Sequence, residues 1–169
     1  SLASTNIAAD KLPDYTGIGT ATTTDLTSTA RSLLDDTSIS AMRTTLVLSD
    51  GTYTPTLTNV TNVTANTSYV AQYMRIGNIV TVSGRIDIDP TAVGNTQLGI
   101  SLPIASNLAS DNQCSGTAAS SNIAGQVAAI HGDSTNDRAE MIYNTIDVTN
   151  QPMYFTFTYL IIWLLLKDY

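Results

Sequence analysis

The chain holds few residues capable of covalent or metal chemistry, and their spacing limits what each can do. His131 is the only histidine and Cys114 the only cysteine. A lone imidazole cannot supply a two-histidine metal site, and acid–base mechanisms built on a histidine pair go with it. Asn112-Gln113 and Ser115-Gly116 flank Cys114 without a histidine or an acid, so the thiol reads as a small buried hydrophobe rather than a nucleophile. A triad using His131 would need a serine and a carboxylate to converge from distant positions, and nothing in the spacing suggests it. No P-loop, Gly-x-Ser-x-Gly, Cys-x-x-Cys or His-x-x-x-His motif is present.

Carboxylates offer the other route, because glycan-cleaving enzymes work through two acids. Asp87 and Asp89 fall on one face of an alternating stretch, while Asp133, Asp137 and Glu140 cluster about one turn. Acids so placed are ordinarily solvated turn residues, and the long repeated strands of a β-helical depolymerase are missing. The expectation is a protein that is not an enzyme and takes no organic cofactor or transition metal; calcium or magnesium on loop oxygens stays open. Asp133, Asn136, Asp137 and Arg138 combine donors and acceptors suited to sugar hydroxyls at a polar loop tip, and form the candidate receptor-binding set.

The elements that must hold these residues are mostly strands. Tyr69 to Ile76, then Gly77-Asn78, then Ile79 to Asp89 is a hairpin signal, since a tight two-residue turn needs positive φ. Val80, Val82, Ile86 and Ile88 lie on one face and Thr81, Ser83, Arg85 and Asp87 on the other, which predicts one buried and one wet side and an antiparallel sheet. Tyr53 to Thr58, Thr96 to Leu102, a segment near Gln113 to Ala118, and Met153 to Ile161 add further strands. Ile123 to His131 and Arg138 to Asp147 flank a second hairpin. About seven or eight short strands predict a β-sandwich, jelly-roll-like, over residues 51–162.

Residues 1–50 read differently. Ser1 to Thr24 is polar, punctuated by Pro13, Gly17 and Gly19, and predicts irregular chain. Asp25 and Ser38 are set to cap two short helices, whose Leu26, Leu33, Leu34, Ile39, Met42 and Leu46 recur at helical spacing. Helices this short need a partner surface, so those six residues are the expected oligomer interface. At the far end, Trp163 to Tyr169 extends an apolar run from Tyr159 that is shorter than the ~20 residues of a membrane helix. It predicts a tail buried against neighbouring chains, with a membrane-contacting tip as the alternative.

At 169 residues the chain suits one domain plus an appendage. Its charged fraction is 12%, and a net charge of −7 with seven Lys and Arg leaves no basic patch for phosphate backbones. Nucleic-acid binding is therefore not expected. Asn59, Asn62 and Asn66 each begin an Asn-x-Ser/Thr sequon inside a threonine-rich run, and glycosylation there is not expected either. The first residue is Ser1, and its flank has neither a basic nor an apolar leader segment; the expectation is a fragment or processed piece of something longer.

Gly51-Thr52-Tyr53-Thr54-Pro55-Thr56-Leu57-Thr58, the run Gln72 to Arg85, and Leu98-Gly99-Ile100-Ser101-Leu102-Pro103 together carry a family resemblance. With Ala124-Gly125-Gln126, Asn136-Asp137-Arg138-Ala139 and Tyr154 to Tyr159, this string resembles the distal β-domain of tailed-bacteriophage tail-fibre and related virion proteins. Upstream, Lys11-Leu12-Pro13, Thr22 to Leu26, Ala30 to Asp36 and Arg43 to Leu46 are similar to the connector that often precedes such domains. The resemblance implies a virion protein made in the bacterial cytoplasm, without enzymatic activity and assembled as a homotrimer about a three-fold axis. Its partners would be other virion proteins and a bacterial surface glycan or protein. The alternative is an architectural virion protein (collar, baseplate or head fibre) that touches no host receptor. The extension beyond Ile162 departs from the family pattern.

Overall fold

The computed structural model describes residues 11–17 and 20–162, with the backbone alone for 12–17 and 20–24. The C-terminal tail, residues 163–169, lies outside the described residues. The chain divides into two units, Ser1–Val47 and Leu48–Tyr169. The division falls slightly before the expected boundary at Gly51 because a strand already begins at Leu48.

In the first unit, β1 (Lys11–Gly17) and β2 (Thr20–Asp25) form an antiparallel pair, Lys11 opposite Asp25. Irregular chain was expected there. Threonine-rich β2 has the β-branched composition strands favour, but no apolar alternation announces it. Asp25 does not cap a helix as expected; it ends β2 and pairs with Lys11. The cap is Thr27, whose hydroxyl accepts from the Ala30 amide at 3.1 Å to start α1 (Ser28–Leu34). Ser38 caps α2 (Ile39–Thr45) as expected, accepting from the Ala41 amide at 3.1 Å. Neither helix buries a residue. Leu34 is 62% and Ile39 78% exposed, and Met42 and Leu46 are exposed with them, whereas Leu26 and Leu33 are half-buried, so the apolar stripe is open in part. Val47 follows with φ 54°, a left-handed conformation that is unfavourable for a β-branched residue.

The second unit is one antiparallel sheet of 10 strands: β3 (Leu48–Tyr53), β4 (Leu57–Thr61), β5 (Val63–Ser68), β6 (Ala71–Ile76), β7 (Ile79–Pro90), β8 (Gly94–Ser101), β9 (Cys114–Ser120), β10 (Val127–Asp133), β11 (Arg138–Thr145) and β12 (Gln151–Leu160). The order is β3-β6-β7-β12-β9-β10-β11-β8-β4, with β5 also on β7. Long β7 accommodates both neighbours on one side, β6 along Ile79 to Ser83 and β5 along Ile86 to Pro90. The sheet curls until β4 and β5, consecutive in the chain, meet; Asn66 Nδ2 donates to Asn59 Oδ1 at 2.5 Å. Asn62, at φ 59°, makes the turn between them. The strand expected over Tyr53 to Thr58 is interrupted at residues 54–56, around Pro55, so its ends belong to β3 and β4; with threonine-rich β5, which lacks apolar alternation, the strand count exceeds expectation.

Gly77 supplies the positive φ (58°) of the β6–β7 turn, and Ile76 faces Ile79 as the hairpin signal requires. Val80, Val82, Ile86, Ile88, Phe155 and Phe157 are buried together inside the curl. Along β12 the rings of Phe155 and Phe157 stack at 5.7 Å, and Tyr159 continues the row at 6.2 Å. They fit because β9 offers only Cys114, Gly116 and Ala118 opposite them. A Cβ on Gly116 would lie 2.2 Å from the Thr156 carbonyl oxygen, which is backbone and cannot swing aside. Gly116→Ala should therefore lower the urea midpoint by the equivalent of roughly 1–3 kcal/mol, the range for overpacking. Thr117→Ala, on the exposed face one residue on, should leave it within about 0.5 kcal/mol.

Candidate functional site

The β10–β11 tip brings all four expected receptor-binding residues together, Asp133 opposite Arg138. Each of the four is engaged by hydrogen bonds inside the fold. Asp133 accepts from the Asn136 amide at 3.2 Å, Asn136 Nδ2 at 2.8 Å and Arg138 Nε at 2.8 Å. Asp137, at φ 48°, turns its carboxylate onto the neighbouring connection, accepting from the Ser106 amide at 3.1 Å and the Leu108 amide at 2.9 Å. Asp111 accepts from the amide and hydroxyl of Ser134 at 3.1 and 2.7 Å. Arg138 also lies 3.7 Å from Glu140 and packs over Gly99.

These contacts set the charge state of the tip. Burial pushes the Asp133 carboxyl upward, but hydrogen bonds from Asn136 and Arg138 outweigh it and hold it below its ordinary value. The Ser134 hydroxyl and amide do the same for Asp111. The candidate acids do not gather into one centre. Asp87 is bound to Arg85, whereas Asp89 accepts from Asn150 Nδ2 at 3.0 Å. His131 holds its Nδ1 at 2.8 Å from the Gly132 carbonyl, with Nε2 3.9 Å from Glu140. Cys114 is buried, which pushes its thiol up to about 12 and leaves it protonated and inert at neutral pH. Among the described residues no group of three or more His, Cys, Asp or Glu is placed to hold a metal ion. None of the described helices is long and apolar enough to cross a membrane.

A second cluster, on the sheet face opposite the core, was not singled out from the sequence. Arg85 donates from Nε and Nη2 to the two Asp87 oxygens, each at 2.8 Å. Its guanidinium lies 4.6 Å from the Tyr69 ring centroid and 5.8 Å from that of Tyr154. Tyr69 closes the set by donating its hydroxyl to Asp87 Oδ2 at 3.1 Å. Asp87, expected on the wet side of its strand, is thereby only 7% exposed. Its hydrogen bond and charge raise the Arg85 pKa further, so the guanidinium stays charged. Spacing did place Arg85 and Asp87 on one face; the arrival of Tyr154 directly across from Arg85 depends on the β7–β12 register, which no local signal encodes.

Beside this cluster runs a shallow trough of about 990 Å³. Strand register explains its form. Thr52, Gln72, Ser83, Thr156, Thr117 and Ala129 stand in one row across six strands. Arg85, Tyr154, Ala119 and Val127 stand in the next. The trough follows the gap between the rows, kept open by the small residues Ala119 and Ala129.

Two measurements check the tip. Asp137→Ala should speed hydrogen exchange at the Ser106 and Leu108 amides and cost roughly 1–3 kcal/mol, since two sheltered donors lose their acceptor. Because the folded carboxyl of Asp133 titrates below its unfolded value of about 3.9, its stabilisation is present above that pH and lost as pH falls through the lower, folded value. An NMR titration should show the tip loosening only in that acid range, and Asp133→Asn should remove the part felt at Asn136 and Arg138 while leaving the part that Asp111 contributes at Ser134.

Compared with family models, with curated proteins and with solved structures, the chain finds no match in any of the three.

Proposed function

We propose that the chain is a virion structural protein, a distal fragment of a tailed-phage tail fibre that attaches the particle to the bacterial surface. The reading is carried by the ordered resemblance running from Gly51 to Tyr159, whose segments fall largely on strands of the one curled sheet. In the same reading the curled sheet is the jelly-roll-like domain of such fibres, supported by the meeting of β4 and β5 that nearly closes it. It is a binding protein rather than an enzyme.

The homotrimer belongs to this proposal. Leu34, Ile39, Met42 and Leu46 are exposed on or beside two helices of seven residues each, too short to persist by themselves. Burying each such side chain between copies contributes roughly 1.5–3 kcal/mol. The architectural reading (collar, baseplate or head fibre) is favoured by one observation, the internal use of Asp133, Asp137 and Arg138 at the tip where a receptor was expected.

Light scattering should give three times the 17.9 kDa chain mass. Replacing Leu34 and Ile39 by Ser should shift the protein towards monomer, while a stable wild-type monomer at micromolar concentration would overturn the trimer. Fluorescent chain should label the bacterium that the phage infects and block plaque formation. Absence of both, with the chain found at an internal virion junction, would establish the architectural reading instead.

A further inference from the structure

We propose that the trough beside Arg85 and Tyr154 is a binding site for a neutral oligosaccharide. The inference deepens the attachment reading and rests on it for its biological role, but its chemistry is independent of the β10–β11 tip. A sugar ring presents apolar C–H faces bordered by hydroxyls that both donate and accept. The trough offers the complement. Tyr154, 51% exposed, lines the wall with an aromatic side chain. Ala119 and Val127 in the row of Tyr154, and Ala129 in the facing row, give apolar surface, while Thr52, Thr117 and Gln72 of that facing row supply hydroxyls and an amide. Gln72 spends its NH₂ on Ser83 Oγ at 3.1 Å, and its carbonyl oxygen remains an acceptor.

Arg85 gives the site its fixed donor. Two of its nitrogens are engaged by Asp87 and its plane is held against Tyr69. A guanidinium has five N–H groups, so donors remain on a group whose orientation is already set, and less entropy is lost on binding. Charge selects among sugars. Among the described residues Arg85 is the one ionic side chain lining the trough, and Asp87 neutralises it, while the chain as a whole carries −7. Anionic glycans gain no net attraction there, and neutral ones lose nothing. A volume of about 990 Å³ lies at the upper end of ligand sites, enough for more than one ring.

The test uses the full chain on an array of neutral hexose and N-acetylhexosamine di- to tetrasaccharides, with sialylated and uronic-acid glycans as the charged set. Binding to members of the neutral set is expected. Tyr154→Ala, at an exposed position, and Ala129→Tyr, which fills the trough, should each weaken it at least about tenfold. Both should keep the wild-type thermal unfolding midpoint within a few degrees. Arg85→Lys should also weaken binding while keeping the charge. No binding to any neutral glycan, or equal binding by Tyr154→Ala and Ala129→Tyr, would overturn the site. So would an unchanged array pattern with a fall in light-scattering mass in those variants, which would make this face a contact between copies. Cell labelling separates the two proposals. Labelling that survives both variants overturns the trough and leaves attachment standing; glycan binding through the trough without labelling does the reverse.

Discussion

The aromatic row on β12 is the constraint on which the rest of the sheet depends. Phe155, Phe157 and Tyr159 point inward from alternate positions, and each has a narrow partner on β9: Ala118, Gly116 and Cys114. On the other flank Phe155 faces Gly84, where an added Cβ would meet the Ala71 Cβ at 2.7 Å and the Phe155 ring at 3.0 Å. Large and small residues therefore interlock in one register. A slip of one residue would turn three rings to solvent and bring Tyr154, Thr156 and Thr158 into the core. The row also reaches beyond the sheet, because the Tyr159 hydroxyl donates to the Ile104 carbonyl at 2.7 Å and accepts from its amide at 3.2 Å. The outward row containing Tyr154 is thus fixed by what its neighbours do on the inside.

Around that core, amides and carboxylates hold the connections that strands cannot. Gln126 donates to the Asn144 carbonyl and accepts from the Ile146 amide, joining the β9–β10 connection to the end of β11. Gln151, fully buried, donates to Thr145 Oγ1 and the Asp147 carbonyl. Asp137 does the same for the segment before β9. With charged residues only 12% of the chain, neutral amides take positions that ion pairs fill elsewhere, which avoids most of the desolvation cost of buried charge. Such ties are little affected by salt, since screening acts on net charge rather than on a short amide bond.

How much could be read in advance follows from where the information lies. Alternation of Val80, Val82, Ile86 and Ile88, and of Phe155 and Phe157, is local, and those faces are buried as read. The Gly77-Asn78 turn is equally local. Strands β2 and β5 were obscured because threonine serves both faces of a strand and leaves no apolar period, and β1 because Pro13 and Gly17 read as punctuation of irregular chain. Asp25 was misplaced by two residues as a helix cap because Asp and Thr are both good caps, and only the β1 partner decides between them. At the tip, adjacency in the sequence already places Asp133, Asn136, Asp137 and Arg138 on one hairpin. It could not reveal that a connection some 30 residues earlier supplies the amides Asp137 accepts from. The Tyr69, Arg85, Asp87 and Tyr154 cluster is of the same kind, local in half its members and dependent on long-range register in the rest.

Strand order also governs how the domain is made. β12 lies between β7 and β9, pairing with the first from Gln151 to Leu160 and with the second from Met153 to Tyr159. During synthesis every other strand of the sheet leaves the ribosome before it. Until then β7 and β9 each have an unpaired edge next to an open apolar face, the arrangement most prone to pairing with a foreign strand. Completion of the sheet is consequently a late, long-range event, and a chain that stops before Gln151 lacks the strand that joins β7 to β9.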